Sequence, residues 1–337
     1  MPRTVFAADV GGTKIAAAVL TAEGKFLARQ TEAVDLSSTT NTIEQICCLA
    51  RELASKNEIA AAGVAVPGLV RRNGKVWAPN LPGGSEIPLA QLLRKRLRIP
   101  VIVESDRNAA VLGETWRGAA RGKSDAVVLL VGTGIGVGIL SGGALLRGAH
   151  ELSGCAGWMA VSEADGDDVR RFGGLEAFAS GPALVRAATN SIEAGFGGKL
   201  ARLAAAELTP ENIARLAREH DPFARQIFHR MGKLLGLAVA NLISLLDPQI
   251  VIIGGEMAAA ADLFFAGLQE TALARCQPLA ARQVQIKVSR LGNDAHLLGV
   301  ARLALAAAKP KTRSSTPKLR RKSNQQVYAA YERSLKR

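Results

Sequence analysis

The chain has 337 residues and a mass of 35.3 kDa, enough for two domains or one large α/β unit. Its 48% hydrophobic and 21% charged residues fit a globular protein with a sizeable core and exclude collagen-like, disulfide-rich and wholly disordered classes. The net charge of +14 belongs mainly to one end: residues 309–337 hold ten Lys or Arg against Glu332 alone, so the preceding 308 residues carry only +5.

In chain order, the opening pattern predicts three strands and two turns: Val5–Val10, Gly11-Gly12, Lys14–Leu20, Glu23-Gly24 and Lys25–Thr31. Ile43, Ile46, Cys47, Leu49, Ala50 and Leu53 then recur at helical spacing. Ala60–Val70 reads as an apolar strand broken by Pro67-Gly68, Pro88–Leu97 as a helix, Val101–Val103 as a short buried strand and Asn108–Trp116 as a helix. About 120 residues on, the opening layout returns as Ala126–Val131, Gly132-Thr133-Gly134, Ile135–Leu140, Ser141-Gly142-Gly143 and Ala144–Arg147. Each copy has a Gly-rich turn with a threonine, Thr13 or Thr133, which predicts a duplicated α/β unit with two facing turns. Ala126–Leu146 lacks charge over 21 residues, but its six glycines favour the hairpin over a membrane helix.

The second half is more helical, with helices over Thr209–Glu219, Phe223–Leu246, Ala259–Arg275 and His296–Ala308, and strands over Ile250–Ile253 and Val284–Val288. Residues 309–337 are too polar and basic to bury much surface, so a disordered tail is expected, with nucleic acid as a secondary partner class. Cys47, Cys48, Cys155 and Cys276 form no metal-ligand spacing and read as free thiols of a reducing compartment. The first residues enter a strand at once without a secretory h-region, so a cytoplasmic location is expected.

Three local features carry chemistry. Asp9-Val10-Gly11-Gly12-Thr13-Lys14 offers backbone N–H groups, a hydroxyl and a cation to phosphate, with Asp9 suited to the hydration shell of Mg²⁺; a plain hairpin turn is the competing reading. Gly132-Thr133-Gly134-Ile135-Gly136 fails the dinucleotide fingerprint, because Val137 stands where a third glycine is needed, so a nicotinamide dehydrogenase is disfavoured. Asp106, between a strand and a helix, suits a general base, although Ser105 or Asp106 as a simple helix cap is the commoner use of such residues. His220, His229 and His296 lie in helical stretches without a paired acid and receive no role.

Taken in order, Asp9-x-Gly-Gly-Thr-Lys14, Val66-Pro67-Gly68, Ala78-Pro79-Asn80-Leu81, Asp106-x-Asn108, Gly113-Glu114, Gly132-Thr133-Gly134 and Leu246-Asp247-Pro248 with Ile253-Gly254-Gly255 resemble the ROK family of sugar kinases and sugar-responsive repressors. The resemblance runs from about residue 5 to residue 308. It implies an α/β, actin/hexokinase-like (ribonuclease-H-like) duplicated two-lobe fold with a nucleotide and sugar cleft between the lobes. Residues 1–118 would form a small lobe to which helix 295–308 returns, and 119–294 a large lobe.

The same resemblance implies ATP-dependent phosphorylation of a hexose hydroxyl, with Mg²⁺ accompanying ATP and Asp106 as base. Asp9, Gly11, Gly12, Thr13 and Lys14 match the first phosphate motif, Gly132, Thr133 and Gly134 the second, and Gly254 and Gly255 the turn near the nucleoside. Gly68, Asn80, Ser105, Asp106 and Glu176 match sugar-side positions. A homodimer is common among such proteins.

Departures are equally plain. Where sugar kinases of the family carry Glu-x-Gly-His, this chain has Cys155-Ala156-Gly157-Trp158. The family zinc cysteines fall on Asp167, Val169 and Gly174, so no zinc is expected, and Ser105 replaces the usual Asn before the base. These changes keep a second expectation open: a sugar- or nucleotide-binding regulator that has lost catalysis.

Overall fold

A computed structural model of the chain describes residues 4–54, 58–71, 73–78 and 86–308. Among these, two five-stranded sheets share one design. In the first, β1 (Thr4–Val10), β2 (Lys14–Thr21) and β3 (Phe26–Ala33) run antiparallel, followed by β4 (Ile59–Val66). A two-stranded ribbon, β5 (Leu69–Val70) with β6 (Val76–Trp77), precedes β7 (Val101–Ser105), and the sheet order is β3-β2-β1-β4-β7 with β1, β4 and β7 parallel. In the second, β8 (Ala126–Val131), β9 (Ile135–Ser141), β10 (Ala144–Leu145), β11 (Ile250–Gly254) and β12 (Gln285–Val288) take the order β10-β9-β8-β11-β12, again with three parallel strands. The duplication expected from the two Gly turns is thus present in the strand order itself.

Helices α1 (Thr39–Ala54) and α2 (Leu89–Leu97) cover one face of the first sheet, burying Ile43, Ile46 and Leu93. On the second half, α5 (Glu176–Ala179), α6 (Gly181–Glu193), α7 (Pro210–Arg218), α8 (Pro222–Leu246) and α9 (Ala261–Arg275) share the largest apolar cluster with the second sheet, while α4 (Asp167–Phe172) buries no residue and lies against α5, and α10 (Pro278–Ala281) lies against α8 and α9. Local chemistry sets their starts. Thr209 accepts from Asn212 N–H ahead of α7, and Asp221 accepts from Phe223 and Ala224 N–H ahead of α8, each followed by a proline at the first turn. Among the described residues no helix is long and apolar enough to cross a membrane.

Two helices tie the sheets together. The segment α3 (Asp106–Arg117) packs between them, with Ala110, Val111 and Leu112 in one cluster with Ala126, Val128, Leu140 and Ile250. The last helix, α11 (Asp294–Ala308), lies on the first sheet and joins Leu297, Val300 and Ala301 to Val5, Ala7 and Ala61. The two touch backbone to backbone: a Cβ at Gly113 would collide with the Ala295 carbonyl, and one at Gly299 with the Ala109 carbonyl.

Several boundaries differ from the sequence reading. Ala60–Val70 is two strands, because Gly68 takes φ +117° and lies against the Trp77 carbonyl, which ends β4 at Val66. α3 begins at Asp106 rather than Asn108. A 3₁₀ turn over Glu256–Ala260 precedes α9, and α6, capped by Ser180, was not anticipated. The four cysteines are free thiols, as read. The tail 309–337 and Asn80 lie outside the described residues.

Candidate active site

In an open sheet with parallel strands, ligands bind beyond the carboxyl ends of those strands. In the first sheet these ends belong to β1, β4 and β7, and the register aligns Asp9 with Ala65 and Val66 with Ser105. Asp9, Gly68 and Asp106 therefore gather along one edge. The first Gly turn sits there too: Gly11 N–H donates to the Lys14 carbonyl at 2.8 Å, leaving Gly12, Thr13 and Lys14 exposed.

Asp106 opens α3 and uses its own side chain locally, Oδ1 accepting from Arg107 N–H at 2.7 Å. Ser105 occupies the cap position but makes no side-chain cap bond, and its Oγ is buried without a partner among the described residues. Ser105 therefore does not cap the helix, whereas Asp106 satisfies one N–H of its first turn. Burial pushes the Asp106 carboxyl above the ordinary aspartate range and the Asp9 charge adds to it, against the opposing pull of His296, the Arg107 N–H and the Arg107 charge.

Sequence alone gives His296 no role, because its partner lies at the other end of the chain. Its Nδ1 lies 2.9 Å from Asp9 Oδ2. Burial alone would lower the imidazole, but the Asp9 charge and hydrogen bond, joined by the Asp106 charge, turn the net shift upward. Asp9, His296 and Asp106 form one electrostatic group. The pairing is invisible in sequence because its partners are 287 residues apart.

The second sheet presents its own carboxyl ends. The Gly132–Gly134 turn follows β8, closed by a bond from Gly132 N–H to the Gly134 carbonyl at 3.0 Å, and Gly132 in turn accepts from Gly181 N–H at 2.8 Å. Gly255, at φ +84°, packs on the Val131 backbone, so the Gly254-Gly255 turn adjoins this one. Thr133 and Gly134 are exposed. Glu176 lies beneath them: Oε2 accepts from Ile135 N–H at 2.7 Å, and burial raises its carboxyl despite that bond and nearby Arg186. Among the described residues no hydrogen bond joins the first Gly turn to the second.

Besides the two helices, two arginines bridge the halves. Glu104, only 2% exposed on β7, accepts from Arg147 Nη1 at 3.1 Å and also from Nη2, and it takes Ser105 N–H at 2.9 Å and Asn108 Nδ2 at 3.0 Å. Arg107 Nη2 reaches the Glu151 carbonyl at 3.4 Å. Sequence alone singles out neither Glu104 nor Arg147, since they are 43 residues apart, one on β7 and the other in the loop after β10. Beyond Arg147, Ala156–Trp158 forms a 3₁₀ turn preceded by Cys155, with Trp158 62% exposed. Asp167 and Asp168 pair with Arg170 and Arg186.

The doubled sheet, with parallel strands ending along one edge of each half, is the actin/hexokinase-like fold. The ROK family glucokinase from Streptomyces griseus, whose structure holds glucose and AMPPNP, superposes with a TM-score of 0.76 at 29% identity over 89% of this chain and 99% of that one. The ROK family model matches residues 5–307, and the chain belongs to the ROK family. Among its relatives are the glucokinase of Thermotoga maritima, 33% identical over 87% of this chain and 94% of that protein, and the xylose repressor of Caldicellulosiruptor bescii, 31% identical over 72% and 61%.

Proposed function

We infer that the chain is an ATP-dependent sugar kinase acting on a hexose hydroxyl, with Asp106 as general base. The observation that carries this is Asp106 itself, a carboxylate raised by burial at the edge where three parallel strands end, with Oδ1 held by Arg107 N–H. In this reading the carboxylate takes the proton of the sugar hydroxyl as its oxygen bonds to the γ-phosphorus. The bond from that phosphorus to the β–γ bridging oxygen breaks, and ADP leaves. Phosphoryl transfer asks mainly for positioning and charge stabilisation, which backbone amides provide.

Support for the rest of the site comes from the same geometry. The backbone N–H groups of the exposed residues Gly12, Thr13, Thr133 and Gly134 would suit phosphate oxygens, and Lys14 adds a cation. The residues present fit a nucleotide that arrives with magnesium: Asp9 would face its hydration shell, and the ion would supply charge neutralisation at the phosphates. Gly254 and Gly255 would lie by the nucleoside. Gly68, Asn80, Ser105 and Glu176 would face the sugar, Ser105 through its unpartnered Oγ. Residues 1–118 with the last helix, and 119–294, would be the lobes that close on both substrates and exclude water.

The test is ADP release from MgATP with glucose, mannose, fructose, N-acetylglucosamine, N-acetylmannosamine or no sugar. Turnover with one of these is expected. A second reading, a regulator without catalysis, draws on Cys155 and Trp158 at positions where the family's kinases carry Glu and His, and on the repressor among the relatives. Sugar or nucleotide binding by calorimetry with no ADP release would favour it.

A further inference from the structure

The Asp9–His296 contact is more than a strand-to-helix tie. Side-chain exposure is 18% for Asp9 and 13% for His296, so the bond forms with little competition from water. His296 Nε2 is buried with no hydrogen-bond partner among the described residues. A residue needed only to fill space here would be apolar, since an unmet buried polar atom is costly. The helix that carries the ring is fixed against the helix that carries Asp106, through the backbone contacts of Gly113 with Ala295 and Gly299 with Ala109. The ring's position relative to both carboxylates is therefore set by the fold and not by a flexible loop.

We propose that His296 is a positioning residue of the phosphoryl-transfer site, which holds the Asp9 carboxylate through Nδ1 in the orientation that receives the magnesium-bearing nucleotide. The proposal rests on the kinase reading above for the identity of that ligand. Among the described residues, Asp9 on β1 holds Nδ1 and Asp106 on α3 acts on the ring through charge. Two carboxylates close to one anionic ligand would repel it and each other; a donor fixed on one of them limits how far that carboxylate can swing. His296 acts through Asp9, so it is not itself a catalytic residue.

The full chain would be prepared as wild type, H296A, H296N, D9N and H296A/D9N, with melting temperature, dissociation constants for MgATP and for metal-free ATP, and turnover measured for each. H296A is expected to weaken MgATP binding about tenfold and metal-free ATP less than about twofold, since the residue acts through a group that faces the metal. H296N places an amide N–H near the site of Nδ1 and should recover most of that loss. In the D9N background, H296A should add less than about threefold, because residues acting through one contact are not additive. Independent, multiplying effects of H296A and D9N would overturn the proposal. So would equal weakening of ATP with and without magnesium, or a fall in melting temperature with MgATP binding intact. MgATP binding by the wild type without turnover on any sugar would defeat the kinase reading alone, since the binding arms would still decide the role of His296. No MgATP binding at all would overturn both.

Discussion

Replacing Arg147 by methionine tests how the two sheets are held together. Glu104 receives four hydrogen bonds, from Ser105 N–H, Asn108 Nδ2 and both terminal nitrogens of Arg147. R147M removes two of the four donors and the cation that pairs with a carboxylate only 2% exposed. Breaking a fully buried pair by removing one partner costs about 3–5 kcal/mol. Here the Arg147 head is 32% exposed, so water reaches part of the vacated space, and two neutral donors remain on Glu104. Those features bring the expectation down to about 2–3 kcal/mol. Urea unfolding of wild type, R147M, E104Q and the double variant would measure it. The E104Q/R147M protein, which no longer buries an uncompensated charge, should be more stable than R147M by about 1 kcal/mol. A loss below about 0.5 kcal/mol in R147M would put the pair among ordinary surface ion pairs and refute the reasoning.

Three further expectations concern α3 and its neighbours. A Cβ at Gly138 would collide with the Arg107 carbonyl, forcing α3 off the second sheet, so G138A should cost about 1–3 kcal/mol or more, read as a drop in urea midpoint; a neutral result would contradict the close approach. The raised Asp106 carboxyl must be deprotonated to act as base, so kcat/KM should climb with pH through a value above the ordinary aspartate pKa of about 3.9. His296 lowers that carboxyl, so H296A should move this acid limb to higher pH, and a limb that stays put or falls would contradict the assigned electrostatics.

Much of the fold was legible because its signals are local. Alternating apolar strands with a Gly turn at Thr13, and again at Thr133, announce a duplicated hairpin, and both copies fold into the same strand order. Proline followed by a helical stripe gave the start of α7, and the long apolar stripe gave α8. The region from Trp158 to Glu193 was opaque, because Gly173-Gly174 and Gly181-Pro182 look like loop punctuation while the true signal for α6 is the Ser180 cap just before the second pair. Asp106 and the Gly turns stood out as candidates through residue type and neighbours. His296, Glu104 and Arg147 did not, since each acquires its meaning from a partner on another element that only tertiary packing supplies. Glu176 was placed on the sugar side by resemblance, and the structure adds that one of its oxygens already serves the Ile135 N–H under the second turn.

The central claim is that Asp106 is the proton acceptor of a sugar kinase, and D106N tests it most directly. Asparagine keeps the oxygen that accepts from Arg107 N–H and removes only the titratable group. Because the folded-state pKa of Asp106 is raised, its contribution to stability is greatest below the unfolded value and is lost as pH rises through the folded one; at neutral pH the charge costs stability. D106N should therefore abolish sugar-dependent ADP release, with a fall of at least about 100-fold expected for loss of a general base, while its melting temperature at pH 7 equals or exceeds that of the wild type. Turnover within a few-fold of wild type in a well-folded D106N protein would contradict the account.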